Sequence, residues 1–257
     1  LTNPKILVEA SPQALVEVTA QRVVVVARES IAAHGTFTMA LSGGSTPKAL
    51  YQLLATEPFL NRIEWNKVHV FFGDERAVPP NDEYSNFRMA CEALLDHLPI
   101  PTEHVHRMKG ESANLKNAAH DYENELRAHS LLDLVLLGMG DDGHTASLFP
   151  HSPALDAKSQ LCVATPVASL EPHVRRLTLT LPAINAAQHV WLLATGASKA
   201  KRLQQVFKSI ESGKCDVEST PILGIAPCGE YWWLLDEAAA HLVATCNPDG
   251  VQSLSAP

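Results

Sequence analysis

A chain of 257 residues with 46% hydrophobic and 19% charged residues has the make-up of an ordinary globular enzyme, which argues against a disordered or fibrous protein. Its net charge of -8 opposes nonspecific attraction to nucleic acid or anionic membranes, so an anionic ligand must be held by local groups. The four-valine run Val23 to Val26 is far short of the roughly 20 apolar residues of a membrane helix.

In chain order, Ser11-Pro12 supplies an N-cap and a first helical residue, predicting a helix over Gln13 to His34. Phe37 to Leu41 then reads as a buried strand. It delivers Ser42-Gly43-Gly44-Ser45-Thr46-Pro47 to the start of a helix predicted over Lys48 to Ala55. Paired glycines let backbone approach a ligand, the next residues offer N–H and hydroxyl donors, and a helix N-terminus favours an anion. Gly43, Gly44, Ser45 and Thr46 are therefore a candidate phosphate cradle, although the same residues suit a plain strand-to-helix turn. Neither a GK[ST] tail nor GxGxxG spacing is present, which argues against a nucleotide.

The next strand, Val68 to Phe72, runs into Gly73-Asp74-Glu75-Arg76 and a proline-rich loop from Ala77 to Tyr84, followed by a helix over Asn86 to Leu95 capped by Ser85. Arg76 and Arg88 each offer a planar fork of donors to a phosphate or carboxylate, and Asp74 joins them as a substrate-site candidate. An internal ion pair between Asp74 or Glu75 and one of these arginines would also account for the pattern.

An irregular stretch from Leu98 to Gly110 leads to a helix across Leu115 to Ala128, on which Asp121-Tyr122-Glu123-Asn124-Glu125 reads as a solvated face. The strand Leu134 to Leu137 opens into Gly138-Met139-Gly140-Asp141-Asp142-Gly143-His144, with a short helix expected next. Histidine takes a proton from water near neutral pH, and a neighbouring carboxylate holds the imidazole in the useful tautomer. His144 is the candidate base and Asp142 its orienting partner.

Further strands are predicted at Leu161 to Ala164, Leu177 to Leu181, Val190 to Ala194 and Ile222 to Ile225, with Trp232 to Leu235 as a buried C-terminal strand and Ser152 to Lys158 irregular. Ser198 caps a helix over Lys199 to Ile210, making Lys199 either a phosphate partner or a solvated first-turn lysine. Arg175-Arg176 reads mainly as the polar lead-in to a strand, with anion binding by Arg176 as the lesser alternative. The alternation predicts an α/β chain: a Rossmann-like, doubly wound, mostly parallel sheet with helices on both faces, in a single domain over 1–257.

HExxH and zinc-spaced cysteines are absent, so no metal or cofactor is expected, and no GxSxG elbow marks a nucleophilic serine. Five scattered cysteines without a CxxC pair suit reduced thiols, and the N-terminal residues do not read as a signal peptide. Both point to the cytoplasm.

Five segments together resemble the bacterial-type 6-phosphogluconolactonase family of the pentose phosphate pathway, in the family's order. They are LSGGSTPKALYQLL from Leu41, FFGDERAVPPNDEYSNFRMA from Phe71, LGMGDDGHTASLFP from Leu137, RLTLTLPAIN from Arg176 and ATGASKA from Ala194. The resemblance implies a fold shared with glucosamine-6-phosphate isomerase/deaminase, hydrolysis of 6-phosphoglucono-δ-lactone, and a catalytic role for His144. Asp141 stands where proline is common and His151 where a small residue is common, and neither is expected to touch the chemistry.

The rival isomerase/deaminase carries a loop resembling GxxxDGHIAFNEP, with a glutamate where this chain has Phe149, so the second acid/base is missing. A non-catalytic sugar-phosphate sensor would carry a basic DNA-binding segment, which finds no place here. The expected scheme seats the phosphate in the Gly43 to Thr46 turn with Arg88 and Lys199. His144 activates water, Asp142 orients it, and Arg76 or an N–H near Gly140 to Gly143 meets the oxyanion. The partner is a small molecule, not nucleic acid or membrane, and a monomer or a homodimer fits equally.

Overall fold

All five side chains of β2 (Phe37–Leu41) and all four of β5 (Leu134–Leu137) are buried, as strands covered on both faces of a sheet must be. In the computed structural model, which describes residues 3–129, 132–244 and 251–252, they sit side by side at the centre of a seven-stranded sheet. Its order is β10 (Val251–Gln252), β1 (Lys5–Glu9), β9 (Glu230–Asp236), β8 (His189–Ala194), β5, β2 and β3 (Val68–Phe72), and every pairing is parallel. Helices α1 (Pro12–His34), α2 (Ser45–Leu54), α3 (Asn86–Ala93), α4 (Leu115–Ala128), α5 (Leu181–Asn185), α6 (Ala197–Glu211) and α7 (Glu237–Ala244) flank it. No helix among the described residues is long and apolar enough to cross a membrane.

A second, three-stranded antiparallel sheet has the order β4 (Asp74–Arg76), β7 (Arg176–Leu179), β6 (Cys162–Ala164). Gly73 joins it to the main sheet: its N–H donates to Leu41 O and its carbonyl accepts from Leu179 N, both at 2.8 Å. One continuous core includes residues of both sheets. The runs at Leu161 to Ala164 and Leu177 to Leu181, expected in the parallel sheet, belong here. The second run ends early because Thr180 caps α5.

Two buried tyrosines fix the strand ends that matter for the site. The Tyr51 hydroxyl accepts from Ser42 N at 2.9 Å and donates to Ser42 O at 3.0 Å. Tyr122 does the same for Phe72, at 2.7 and 3.0 Å. The solvated face expected here does not include Tyr122, which is buried, or most of Glu123, whereas Asp121 and Asn124 are exposed.

The apolar run Ile222 to Ile225 is not a strand but part of a 3-10 turn, Pro221–Gly224, in which Pro221 takes the first position and lacks a donor for a ladder. No helix follows His144 either. Thr145 Oγ1 donates to Gly138 O, Leu148 N donates to Thr145 O, and Ala146 adopts a left-handed φ of 48°, which closes a tight turn.

Candidate active site

The sheet order places a topological switch point between β2 and β5. After β2 the chain moves outward to β3, and after β5 it moves the other way, to β8. Loops leaving adjacent strands in opposite directions open a crevice at the carboxyl ends, where ligands bind in sheets of this type. A cavity of about 310 Å³ lies there, lined by Ser42 to Pro47, Asp74, Arg76, Gly138 to Gly140, His144, Ala146, Arg176, Leu193 to Thr195 and Lys199.

Two helices begin at this cavity, and neither has a side-chain cap. α2 starts three residues and α6 two residues earlier than the Thr46-Pro47 and Ser198 signals predicted, from glycines at positive φ: Gly44 at 108° and Gly196 at 89°. A serine or threonine cap would engage one of the first N–H groups, whereas a glycine cap leaves them facing the cavity for an anion. Thr46 and Thr195 join the two turns through their hydroxyls at 2.8 Å.

Gly43 serves another purpose. A Cβ at this position would lie 2.3 Å from Asn86 Oδ1. Asn86 needs that space because it ties the acidic and basic halves of the next motif together. Its Nδ2 donates to Asp74 Oδ1 at 3.0 Å and its Oδ1 accepts from Arg76 Nη1 at 2.8 Å. Asp74 also accepts from Ser147 Oγ at 2.6 Å, and Arg76 Nη1 donates to Tyr84 O at 2.7 Å. The acid–arginine ion pair allowed by the sequence does not form.

Arg76 and Arg176 stand directly opposite each other in the β4–β7 register. Like charges in that relation repel. The Nε of each is buried without a partner, and burial lowers the Arg176 guanidinium from its ordinary value, with Asp74 opposing that shift and Arg76 adding to it. Both residues line the cavity, Arg176 with its Nη2 held by Glu171 O and Pro172 O at 3.5 and 3.4 Å, so two juxtaposed guanidinium groups form a site whose charge an anion would balance.

His144 is oriented by the mechanism the sequence suggested. Its Nδ1 lies 2.6 Å from Asp142 Oδ1, which also accepts from the His144 backbone N–H at 3.0 Å. Partial burial pushes the Asp142 carboxyl upward, but the hydrogen bonds and charge of His144 outweigh this and hold it below its ordinary value. With Nδ1 on the carboxylate, Nε2 has no protein partner among the described residues and is free to accept a proton.

Gly140 makes this pairing possible. A Cβ there would lie 2.1 Å from His144 Nδ1 and 2.8 Å from Asp142 Oδ1. Gly140→Ala should therefore lower kcat by about 100-fold through displacement of the ring, with the melting temperature nearly unchanged. Steady-state kinetics and a thermal melt check both halves.

The model of the glucosamine-6-phosphate isomerases/6-phosphogluconolactonase family matches residues 10–233. The chain belongs to this family. A 6-phosphogluconolactonase of Synechocystis sp. is 42% identical over 83% of this chain and 87% of its own. The solved 6-phosphogluconolactonase from Trypanosoma cruzi is 33% identical, with a TM-score of 0.80 over 93% of this chain and 96% of that one. A monomeric glucosamine-6-phosphate deaminase has the same TM-score at 18% identity over 93% and 99%, so the isomerase/6-phosphogluconolactonase fold alone does not separate the two reactions.

Within this family frame, the predicted site residues divide. Gly43, Gly44, Ser45, Thr46, Asp74, Arg76, His144 and Lys199 all line the cavity, and Asp142 backs His144. Arg88 does not reach it. Its Nε donates to Glu92 one turn along α3 at 2.7 Å and its Nη1 to Asn81 O, on the exposed side of the helix. The arginine brought into the site is Arg176, which the sequence marked chiefly as a strand lead-in.

Lys199 is also not free. Its Nζ lies 2.7 Å from Asp141 Oδ1, while Asp141 O accepts from Arg202 Nε. Asp141, expected to be neutral to the chemistry, occupies the lysine. Phe149, at the position where the deaminase loop resembles a glutamate, packs its ring 4.6 Å from His144 and 5.5 Å from the Arg176 guanidinium carbon.

Proposed function

We propose that this chain is a cytoplasmic, single-domain 6-phosphogluconolactonase that hydrolyses 6-phospho-D-glucono-1,5-lactone to 6-phosphogluconate, the second step of the oxidative pentose phosphate pathway. The observation that carries this reading is the Asp142–His144 pair, open at Nε2, beside a cavity onto which two uncapped helix N-termini converge. The free thiols of Cys91, Cys162, Cys215 and Cys228 suit a reducing compartment.

The phosphate is held by the N–H groups of the Gly43 to Thr46 turn, by the α6 N-terminus and by Lys199. His144 Nε2 takes a proton from water as its oxygen attacks the lactone carbonyl. Negative charge then develops on the former carbonyl oxygen, and donors of Arg76 and Arg176 stabilise it. As the bond to the ring oxygen breaks, the imidazolium returns its proton to that oxygen, and the carboxylic acid formed ionises. Asp142 keeps the ring in one tautomer throughout and stabilises the imidazolium. A δ-lactone is electrophilic enough to make this sequence sufficient.

The deciding assay compares wild type and Phe149→Glu, using lactone generated fresh from glucose 6-phosphate, against the spontaneous rate. Wild type should hydrolyse the lactone well above that rate and release no ammonia from glucosamine 6-phosphate. Binding of sugar phosphates without rate enhancement would instead make the chain a sensor, and ammonia release would make it a deaminase.

The Asp141–Lys199 pair yields a separate expectation. Asp141 is 79% exposed, so the pair is worth only about 0.2–1 kcal/mol. Asp141→Asn should release Lys199 for the phosphate and lower KM by roughly 1.4- to fivefold with kcat unchanged. A KM that stays the same or rises shows that Lys199 does not meet substrate.

A further inference from the structure

At the amino ends of the parallel strands, on the far side of the sheet from the active site, imidazoles from three separate segments meet. His69 lies on the edge strand β3, His104 and His106 lie in the segment that pairs with it through Val105 and Val70, and His129 caps the C-terminus of α4. The rings of His69 and His129 are 4.5 Å apart, and those of His106 and His129 are 4.6 Å apart. His69 Nδ1 is 3.1 Å from His106 Nε2. We propose that His69, His106 and His129 bind one divalent transition-metal ion of the zinc class.

Three observations support this. One nitrogen from each ring lies within 4.8 Å of the other two. Three points so spaced have a centre no farther than about 2.8 Å from each, so closing to a metal–nitrogen distance of roughly 2.0–2.1 Å takes shifts below about 1 Å. His106 Nδ1 lies 3.2 Å from Glu125 Oε2, and a carboxylate on the far nitrogen of a histidine fixes its tautomer and raises its basicity as a ligand. Finally, all three histidines are only partly buried, and His129 also lines a cavity of about 700 Å³ together with His34, Asp133 and His189, so the cluster is open to solvent.

An all-imidazole set suits zinc, nickel or copper and disfavours magnesium or calcium, which require oxygen. A bound ion would join the β3 edge, the 104–106 segment and the end of α4, stabilising the fold without touching the catalytic pocket. The wide sequence spacing of these residues hides the site from any motif.

The test is calorimetric titration of zinc into the full chain after removal of metal with a chelator. Wild type and His144→Ala should each take up one zinc ion per chain, and the wild-type melting temperature should rise with zinc. His106→Gln and His129→Gln should bind at least tenfold more weakly, and Glu125→Gln about tenfold more weakly. Circular dichroism establishes that each variant is folded; if one histidine variant is not, the other and Glu125→Gln decide. Absence of uptake by wild type, unchanged uptake in the folded variants, or loss of uptake in His144→Ala, which would place the zinc at the active site, each overturns the proposal.

Discussion

Replacing His144 by alanine should lower kcat for the lactone by about 100- to 10,000-fold, the usual contribution of a positioned acid–base group, with a much smaller change in KM. The ring does not hold the fold together. Its side chain is 20% exposed, it touches Phe149, and its only side-chain hydrogen bond among the described residues is to Asp142. The loop keeps its own bonds, Gly140 N to His144 O at 2.9 Å and Gly143 N to Gly140 O at 3.0 Å, both of which are backbone. Asp142→Asn should give a smaller loss, because an amide oxygen can still accept from the His144 backbone while the charge that stabilises the imidazolium is gone. Initial rates corrected for spontaneous hydrolysis decide the order. If His144→Ala retains more than a tenth of the enzymatic rate, another group is the base.

The loops that line the candidate site were legible because their signals are local. An apolar run followed by glycines and then polar residues marks a strand end in any context, and that pattern located the turns after β2, β3 and β5. What it could not show was which strands pair. Cys162–Ala164 and Arg176–Leu179 read as buried strands whether they enter a parallel sheet or the small antiparallel one. The antiparallel pairing is what puts Arg176 opposite Arg76 and into the site.

The same reason explains the exchange of Arg88 for Arg176. Arg88 belongs to the conspicuous segment Ser85-Asn86-Phe87-Arg88, but Glu92 four residues on holds it along the helix surface. Asn86, passed over as the first residue of a helix, proves to be the bridge between Asp74 and Arg76 and the reason Gly43 lacks a side chain. Asp141 was legible as a departure from the family pattern. Its consequence was not, because Lys199 is 58 residues away in sequence.

The largest stability effect should come from Glu75, whose neighbours in the motif take part in the site but which itself points into the protein. It is 3% exposed, and its two oxygens accept four hydrogen bonds: from Arg76 N at 2.7 Å, Asn86 N and Phe87 N at 2.8 Å, and Ser85 Oγ at 2.9 Å. Glu75 thus closes the N-terminus of α3 onto β4 and sets the path of the backbone that carries Arg76. Glu75→Ala leaves these donors without a partner at about 1–3 kcal/mol for each that water cannot reach, a loss of at least about 3 kcal/mol. At roughly 2–4 °C per kcal/mol for a chain of this size, the melting temperature should fall by about 10 °C.

Activity should fall with it, since Arg76 loses its fixed backbone while the Asp142–His144 pair is untouched. Glu75→Gln should lie between, and its pH dependence has a definite sign. Burial raises the Glu75 carboxyl above its ordinary value of 4.5, against the pull of the four donors. A carboxyl raised on folding adds stability that is fully present below that ordinary value and is lost as pH rises through the folded value. The stability gap between wild type and Glu75→Gln should therefore narrow as pH rises through that range. A gap that widens instead would mean the donors outweigh burial, and an alanine variant melting within about 2 °C of wild type would remove Glu75 from this role.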